Sequence, residues 1–385
     1  MAPRKVCVVV FSRANYGRIK SVLRAVKQHP DLELQLVIGA SALLQRFGNA
    51  RDVIEHDGFT PAATVHTIVE GETPTTMAKS TGLGVLELAT QFENLKPDVV
   101  LTVADRFETI ATAIAASYMN IPVAHTQGGE VTGSIDESVR HAVTKLSHIH
   151  FPATQRARDF IIRMGEDPGT VFLTGCPSID LVAELDLALS PGFFPRDKGV
   201  GAGLDPEKPY LVVLQHPVTT EYGQGFVQIN ETLEGVAKIG MQTVWLWPNV
   251  DAGSDDISKG LRVAREHGRA ERIHFYRNFS PEDYARLIAN CACLIGNSSS
   301  AIREGAFLGV PAVNIGTRQQ GREHASNVAF ADYDSSAIAE AVRRQIVHGK
   351  YPRNPLFGDG TAGRQIAEHL ARVPFRVQKR ISYVD

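Results

Sequence analysis

The chain has 385 residues, 43% hydrophobic and 21% charged, with 40 Lys plus Arg against 42 Asp plus Glu for a net charge of −2. That is the composition of a globular protein long enough for two cores, and the charge balance excludes a broad nucleic-acid or membrane-surface footprint. The four cysteines (Cys7, Cys176, Cys291, Cys293) sit in or beside apolar segments, and Cys291 and Cys293 are too closely spaced for a zinc pair; buried free thiols, a reducing compartment and no metal are expected.

Val6–Phe11 reads as a first strand; it is too short for a signal-peptide core, and no stretch approaches a membrane span, so a cytoplasmic protein is expected. Leu34–Ile38, Val99–Val103 and Pro122–His125 follow as strands, alternating with helical patterns near 18–28, 74–94, 106–118 and 136–147. Several strands are apolar at nearly every position, as when both faces of a parallel sheet are covered. The segment Ser190–Pro209 is rich in Pro, Gly, Asp and Lys and reads as a boundary. The rhythm then restarts: Tyr210–Leu214, Thr243–Trp247, Ile273–Tyr276, Cys291–Ile295 and Ala312–Ile315 as strands, with helices at 225–239, 255–267 and 281–289. The fold class is therefore α/β, with two doubly wound Rossmann-like domains at 1–190 and 205–360 and ligand in the interdomain cleft. A last helical stretch within 361–385 is expected to cross back to the first domain.

The segment from Cys291 to Pro311 carries the most chemistry. A strand breaks at Gly296 and Asn297, and Ser298, Ser299 and Ser300 stand where a helix is expected to begin, with Glu304 inside it. A helix start offers unpaired N–H groups and a positive dipole end, which suit a phosphate; ordinary capping by Ser298 or Ser299 is the simpler use. Arg13 and Tyr16 are placed at the tip of the first strand, where an arginine can hold a diphosphate. Asp105, at the end of Val99–Val103, is either an acid/base group facing the cleft or a cap. Ser134 and Glu137 have capping-box spacing. That puts Asp136 in a first helical turn with Arg140 four residues on, a pair worth roughly 0.3–0.5 kcal/mol as structure. Beside a glycine-rich loop the same pair can move a proton next to a leaving phosphate. His216 follows the first strand of the second domain, and the loops at Trp247–Gly253 and Gly316–Arg322 add Asn249, Arg318 and Arg322.

Together these segments resemble the hydrolysing UDP-N-acetylglucosamine 2-epimerases of sialic- and legionaminic-acid precursor synthesis. The resemblance runs through Val65-His-Thr-Ile-Val-Glu-Gly-Glu72, Asp105-Arg-Phe-Glu108, Gly128-Gly-Glu-Val-Thr-Gly133 and Arg140-His-Ala-Val-Thr-Lys-Leu-Ser-His148. It continues through Gly175-Cys-Pro-Ser178, Leu214-Gln-His-Pro-Val-Thr-Thr220, Pro248-Asn-Val-Asp-Ala-Gly-Ser254, Gly296-Asn-Ser-Ser299 and Gly316-Thr-Arg-Gln-Gln-Gly-Arg322. It implies the glycosyltransferase-B arrangement and a reaction without metal or redox cofactor. A base removes the C2 proton of a UDP- or GDP-linked 2-acetamido sugar as the nucleoside diphosphate leaves, and water then adds to the glycal. It further implies acid/base or orienting roles for Asp105 and Asp136, and help at the leaving group from Arg140 and His216. Nucleotide-sugar binding would involve Arg13, Tyr16, His66, Asn249, Gly296, Ser298, Ser299, Glu304 and Arg318. A homodimer or homotetramer is implied, with no nucleic-acid or membrane partner.

Three positions depart from the family pattern. Asn15 replaces an aspartate, Ala42 a histidine, and Gln127 a glutamate used in catalysis by many relatives. An amide cannot take up a proton near neutral pH, so Glu130 is the candidate substitute base. The departures predict either a different sugar, such as a 2,4-diacetamido-trideoxyhexose, or a weakened enzyme that only binds nucleotide sugars. A glycosyltransferase of the same architecture is a further reading.

Overall fold

The computed structural model describes residues 2–45, 50–103, 106–190, 192–194, 199–249 and 251–382. The first lobe runs β1 (Arg4–Val10), α1 (Arg13–Gln28), β2 (Leu32–Gly39), α2 (Ala50–His56), β3 (Ala63–Val65), α3 (Pro74–Leu95), β4 (Val99–Val103), α4 (Thr109–Tyr118), β5 (Val123–Thr126), α5 (Ile135–Leu146), β6 (Ile149–Phe151), α6 (Gln155–Arg163) and α7 (Pro177–Glu184). Its six strands are all parallel, in the order β3-β2-β1-β4-β5-β6. The order reverses direction between β1 and β4, so the loops leaving those two strands splay apart and open a crevice. Val6, Val8 and Val10 face one covering layer and Cys7 and Val9 the other, which is why the strand is apolar throughout.

The second lobe runs β7 (Gly199–Gly201), β8 (Tyr210–Leu214), α8 (Gly225–Ala237), β9 (Gln242–Leu246), α9 (Ser254–Glu266), β10 (Ile273–Tyr276), α10 (Pro281–Asn290), β11 (Cys293–Gly296), α11 (Glu304–Leu308), β12 (Ala312–Ile315), β13 (Val328–Ala331), α12 (Ser335–His348) and α13 (Ala362–Arg372). Its sheet is ordered β13-β12-β11-β8-β9-β10-β7, parallel except for β7 against β10. The short strand β7 was not expected from sequence, since two of its three residues are glycine.

Helix α13 packs on the first lobe: Ile366, Ala367 and Leu370 join the core around β1 and α1. Gly363 allows the approach, because a Cβ there would lie 2.7 Å from the Ser21 carbonyl carbon. The Asp180 carboxylate of α7 accepts the first N–H groups of α13, from Ala362 at 3.0 Å and Gly363 at 2.6 Å. Helix α7 in turn shares the second lobe's core through Ile179 and Val182. All four cysteines are buried and free. No helix among the described residues is long and apolar enough to cross a membrane.

Candidate active site

The ends of both sheets face each other across a cleft with a cavity of about 170 Å³. The first lobe enters it through α1. Ser12 caps that helix by accepting the Asn15 N–H at 3.1 Å, so the helix starts at Arg13, earlier than the sequence pattern suggested. The helical period then divides its residues. Arg13, Ala14, Gly17 and Arg18 line the cleft, while Tyr16 and Ile19 enter the core. The second lobe supplies an apolar end from Leu246, Phe279, Pro281 and Ile288, which suits a flat ring. Its polar end is formed by His216, Asn249, Ser298, Ser299, Ser300, Glu304 and Arg318.

The strand before the serines can end as it does because residue 296 is glycine. Gly296 has φ +125°, and a Cβ would lie 2.1 Å from the Leu214 carbonyl oxygen. Asn297, fully buried, then ties two loops together: its side-chain oxygen accepts the His216 N–H at 2.7 Å and its amide donates to the His216 carbonyl at 2.9 Å. The serines do not begin a helix. Residues 298–303 form turns, closed for example by Ile302 N–H to the Ser299 carbonyl, and α11 starts only at Glu304 and is five residues long. The expected helix start is therefore corrected. Phosphate chemistry here rests on hydroxyls and arginines: Arg18 donates to the Ser299 hydroxyl at 2.6 Å, and the Ser298 and Ser300 hydroxyls lie 2.9 Å apart.

His216 is buried, and its Nδ1 accepts the Asn249 N–H at 3.1 Å, which leaves the proton on Nε2. Burial, then Arg318, Arg106, Arg18 and Arg13, hold its pKa well below the usual histidine value. It is thus a neutral hydrogen-bond donor in a field of guanidinium groups. Arg13 is itself lowered by burial to a pKa of about 10 and remains a cation near neutral pH. Arg106 forms a wall between the cleft and a side chamber of about 280 Å³ lined also by Ser41, Glu72 and Ser254. It pairs with Glu108 at 3.1 Å and with Asp251 of the opposite lobe at 3.0 Å.

Asp136 lies in the first turn of α5 and pairs with Arg318 across the lobes at 3.3 Å. Ser134 caps α5, accepting the Asp136 N–H, but the reciprocal box does not form; the Glu137 carboxylate accepts the Thr132 N–H instead. Arg140 is fully buried and donates to the Glu130 carbonyl at 2.6 Å. Glu130 itself sits under the cleft, with its carboxylate gripped by Arg303 and Arg322. Gln127 is also fully buried, at φ +61°, and neither amide atom has a partner.

Asp105 lies outside the described residues. Two further expectations are corrected. Tyr16 does not face the cleft, because the 3.6-residue period turns its ring onto Phe59 and its hydroxyl donates to Asp57. His66 is exposed just past β3 at the sheet edge, away from the residues lining the cleft. Ala42 is a core residue, and its neighbour Ser41 lines the side chamber. Sequence reading passed over Arg18 and Arg106 as site residues. Arg18 is one turn beyond Arg13 and Ala14 on the same helix face, and Arg106 directly follows Asp105; either position would have flagged them.

Two largely parallel-sheet α/β lobes meeting at a cleft between strand ends define a glycosyltransferase-B-like class of protein. Within it, the chain belongs to the UDP-N-acetylglucosamine 2-epimerase family, whose family model matches residues 24–371. It is 33% identical over 376 residues to the UDP-N,N'-diacetylbacillosamine 2-epimerase (hydrolyzing) of Legionella pneumophila, covering 97% of each chain. It is 26% identical over 370 residues to a UDP-N-acetylglucosamine 2-epimerase of Neisseria meningitidis serogroup B, covering 96% of this chain and 94% of the relative. The fold matches the crystal structure of UDP-GlcNAc 2-epimerase from Neisseria meningitidis bound to UDP-GlcNAc, with TM-score 0.78, 19% identity, and coverage of 95% and 99% of the two chains.

Proposed function

We propose that this protein is a hydrolysing nucleotide-sugar 2-epimerase, converting a UDP-linked 2-acetamido sugar to the free 2-epimer and UDP. The observation that carries the reading is His216, a neutral donor set among four arginines at the polar end of the cleft, one of which, Arg318, pairs with Asp136. The apolar end takes the base, Glu304 the ribose hydroxyls, and the serines with Arg13 and Arg18 the diphosphate. Chemistry then runs in two stages. A carboxylate, with Asp105 and Asp136 the candidates, removes the C2 proton; the C1–O bond breaks, C1=C2 forms, and His216 Nε2–H and the arginines stabilise the departing diphosphate. Water next adds its hydroxyl to C1 while a proton returns to the opposite face of C2, so the atoms of one water enter the free sugar.

We further propose a sugar with a second acetamido group at C4. The 33%-identical Legionella relative bears the name of such a substrate, UDP-N,N'-diacetylbacillosamine. Asn15 and Gln127, two of the departures from the family pattern, are both buried, Asn15 with its Nδ2 unpartnered and Gln127 with neither amide atom partnered. A homodimer or homotetramer belongs to the same proposal, and light scattering tests it.

Incubation with UDP-N-acetylglucosamine and with its 4-acetamido-6-deoxy analogue, without any acceptor, should yield free 2-epimer and UDP by NMR, faster for the analogue. Turnover only with an added acceptor would make the protein a glycosyltransferase. Gln127 favours one other reading: a fully buried amide stands where the family resemblance implies a glutamate, and UDP binding without turnover would establish a nucleotide-sugar binder.

A further inference from the structure

A buried residue bonded to both lobes takes no part in the chemistry above. Glu130, 6% exposed, belongs to the loop between β5 and α5. Its two carboxylate oxygens each accept from Arg303 Nη2 at 2.8 Å, and one also accepts from Arg322 Nε at 3.0 Å and Nη2 at 2.5 Å. Both arginines belong to the second lobe. Arg303 follows the serine turn and precedes Glu304; Arg322 closes the loop that carries Arg318 to Asp136. On its own lobe, the Glu130 carbonyl accepts from Arg140 at 2.6 Å, and Arg140 rides on the same helix as Asp136. One buried residue thus connects the diphosphate turn and the Arg318 loop, through its carboxylate, with the helix bearing the acid/base candidate, through its carbonyl.

We propose that Glu130 is a positioning residue that couples closure of the lobes on a nucleoside diphosphate to alignment of Asp136 with the sugar. The inference rests on the site reading given above. Both its oxygens are bonded to guanidinium groups, which leaves a rigid joint and not a proton carrier. Two arginines from one lobe converge on a single carboxylate of the other, so the joint exists only when the lobes meet. Breaking a buried ion pair from one side is costly, and removal of Glu130 takes away the carboxylate that bridges to Arg303 and Arg322 across the lobes, which favours the open form.

The test uses the full chain as wild type, Glu130→Gln, Glu130→Asp and Arg303→Lys. UDP affinity is read by calorimetry, steady-state rates across pH, and lobe closure by small-angle scattering with and without UDP. Glu130→Gln should weaken UDP binding about tenfold or more. It should lower kcat/KM further and give a more open particle, with both limbs of the pH profile at their wild-type positions. Glu130→Asp, which keeps the charge, should recover part of each loss. Loss of the acidic limb with UDP affinity intact would instead make Glu130 the base and overturn the proposal, as would unchanged affinity and closure. If Glu130→Gln does not fold, Glu130→Asp and Arg303→Lys give the same readouts. If wild type fails to bind UDP, the functional reading falls, and scattering of the ligand-free proteins still decides the joint: a variant as closed as wild type sinks it.

Discussion

Arg106 of the first lobe meets Asp251 of the second at 3.0 Å, with side chains only 7% and 11% exposed. The guanidinium is also held by Glu108 at 3.1 Å. Burial opposes its charge, but Asp251 and Glu108 keep it ionised. Arg106→Ala leaves two carboxylates in a largely dry site and is expected to cost about 3–5 kcal/mol in urea denaturation. Arg106→Lys keeps the charge but not the two-sided grip, and UDP affinity should fall about tenfold while the fold survives. Equal stability of wild type and Arg106→Ala would contradict this account of the pair.

Gly133 marks a close passage of the two lobes' backbones. Its N–H donates to the Arg318 carbonyl at 3.0 Å, and a Cβ would stand 2.0 Å from the Thr317 carbonyl oxygen. Gly133→Ala should therefore push the lobes apart and reduce UDP affinity about tenfold or more, with little change in circular dichroism, since each lobe keeps its core. Scattering should report the larger particle.

Acid should loosen the interlobe joint before it unfolds either core. Burial alone would raise the Glu130 pKa; Arg303, Arg322 and Arg140 reverse this and hold it at about 2. The folded pKa is below the unfolded one, so the stabilisation is complete above about pH 4.5 and disappears as pH falls toward 2, on the order of 3 kcal/mol in all. Wild type should lose that increment between pH 5 and 2 in denaturation experiments, whereas Glu130→Gln should show a flatter profile.

Gln127→Glu places an acid at a position with no exposure and no bonding partner for the present amide. Burial without a cation raises a carboxyl pKa above its unfolded value. The variant should then match wild type near pH 4.5 and become progressively less stable as pH rises, by about 1–3 kcal/mol at pH 8. Urea midpoints at the two pH values check this, and equal midpoints would mean that a cation reaches the site.

The fold was largely legible because parallel strands buried on both faces are apolar at nearly every position, and the bounds of β4, β8, β10 and β12 match the expected strands to the residue. What sequence could not supply was the phase of the helices and the partners of the charges. Moving the start of α1 back to Arg13 sent Tyr16 inward and brought Arg18 into the cleft. Asp136 and Arg140 have the spacing of a pair, yet Asp136 bonds Arg318 and Arg140 bonds the Glu130 carbonyl. Those partners lie on distant or looped segments, and local spacing carries no information about them. The serines line the cleft, but their turns read as a helix because Gly309 and Pro311 end the segment as they would a longer helix.

Deuterium at C2 is the most direct test of the central claim. With a UDP-linked 2-acetamido sugar in deuterated water, the account predicts free 2-epimer carrying one solvent deuterium at C2 and UDP in equal amount. Release of UDP with a C2 that keeps its original proton and configuration would contradict it.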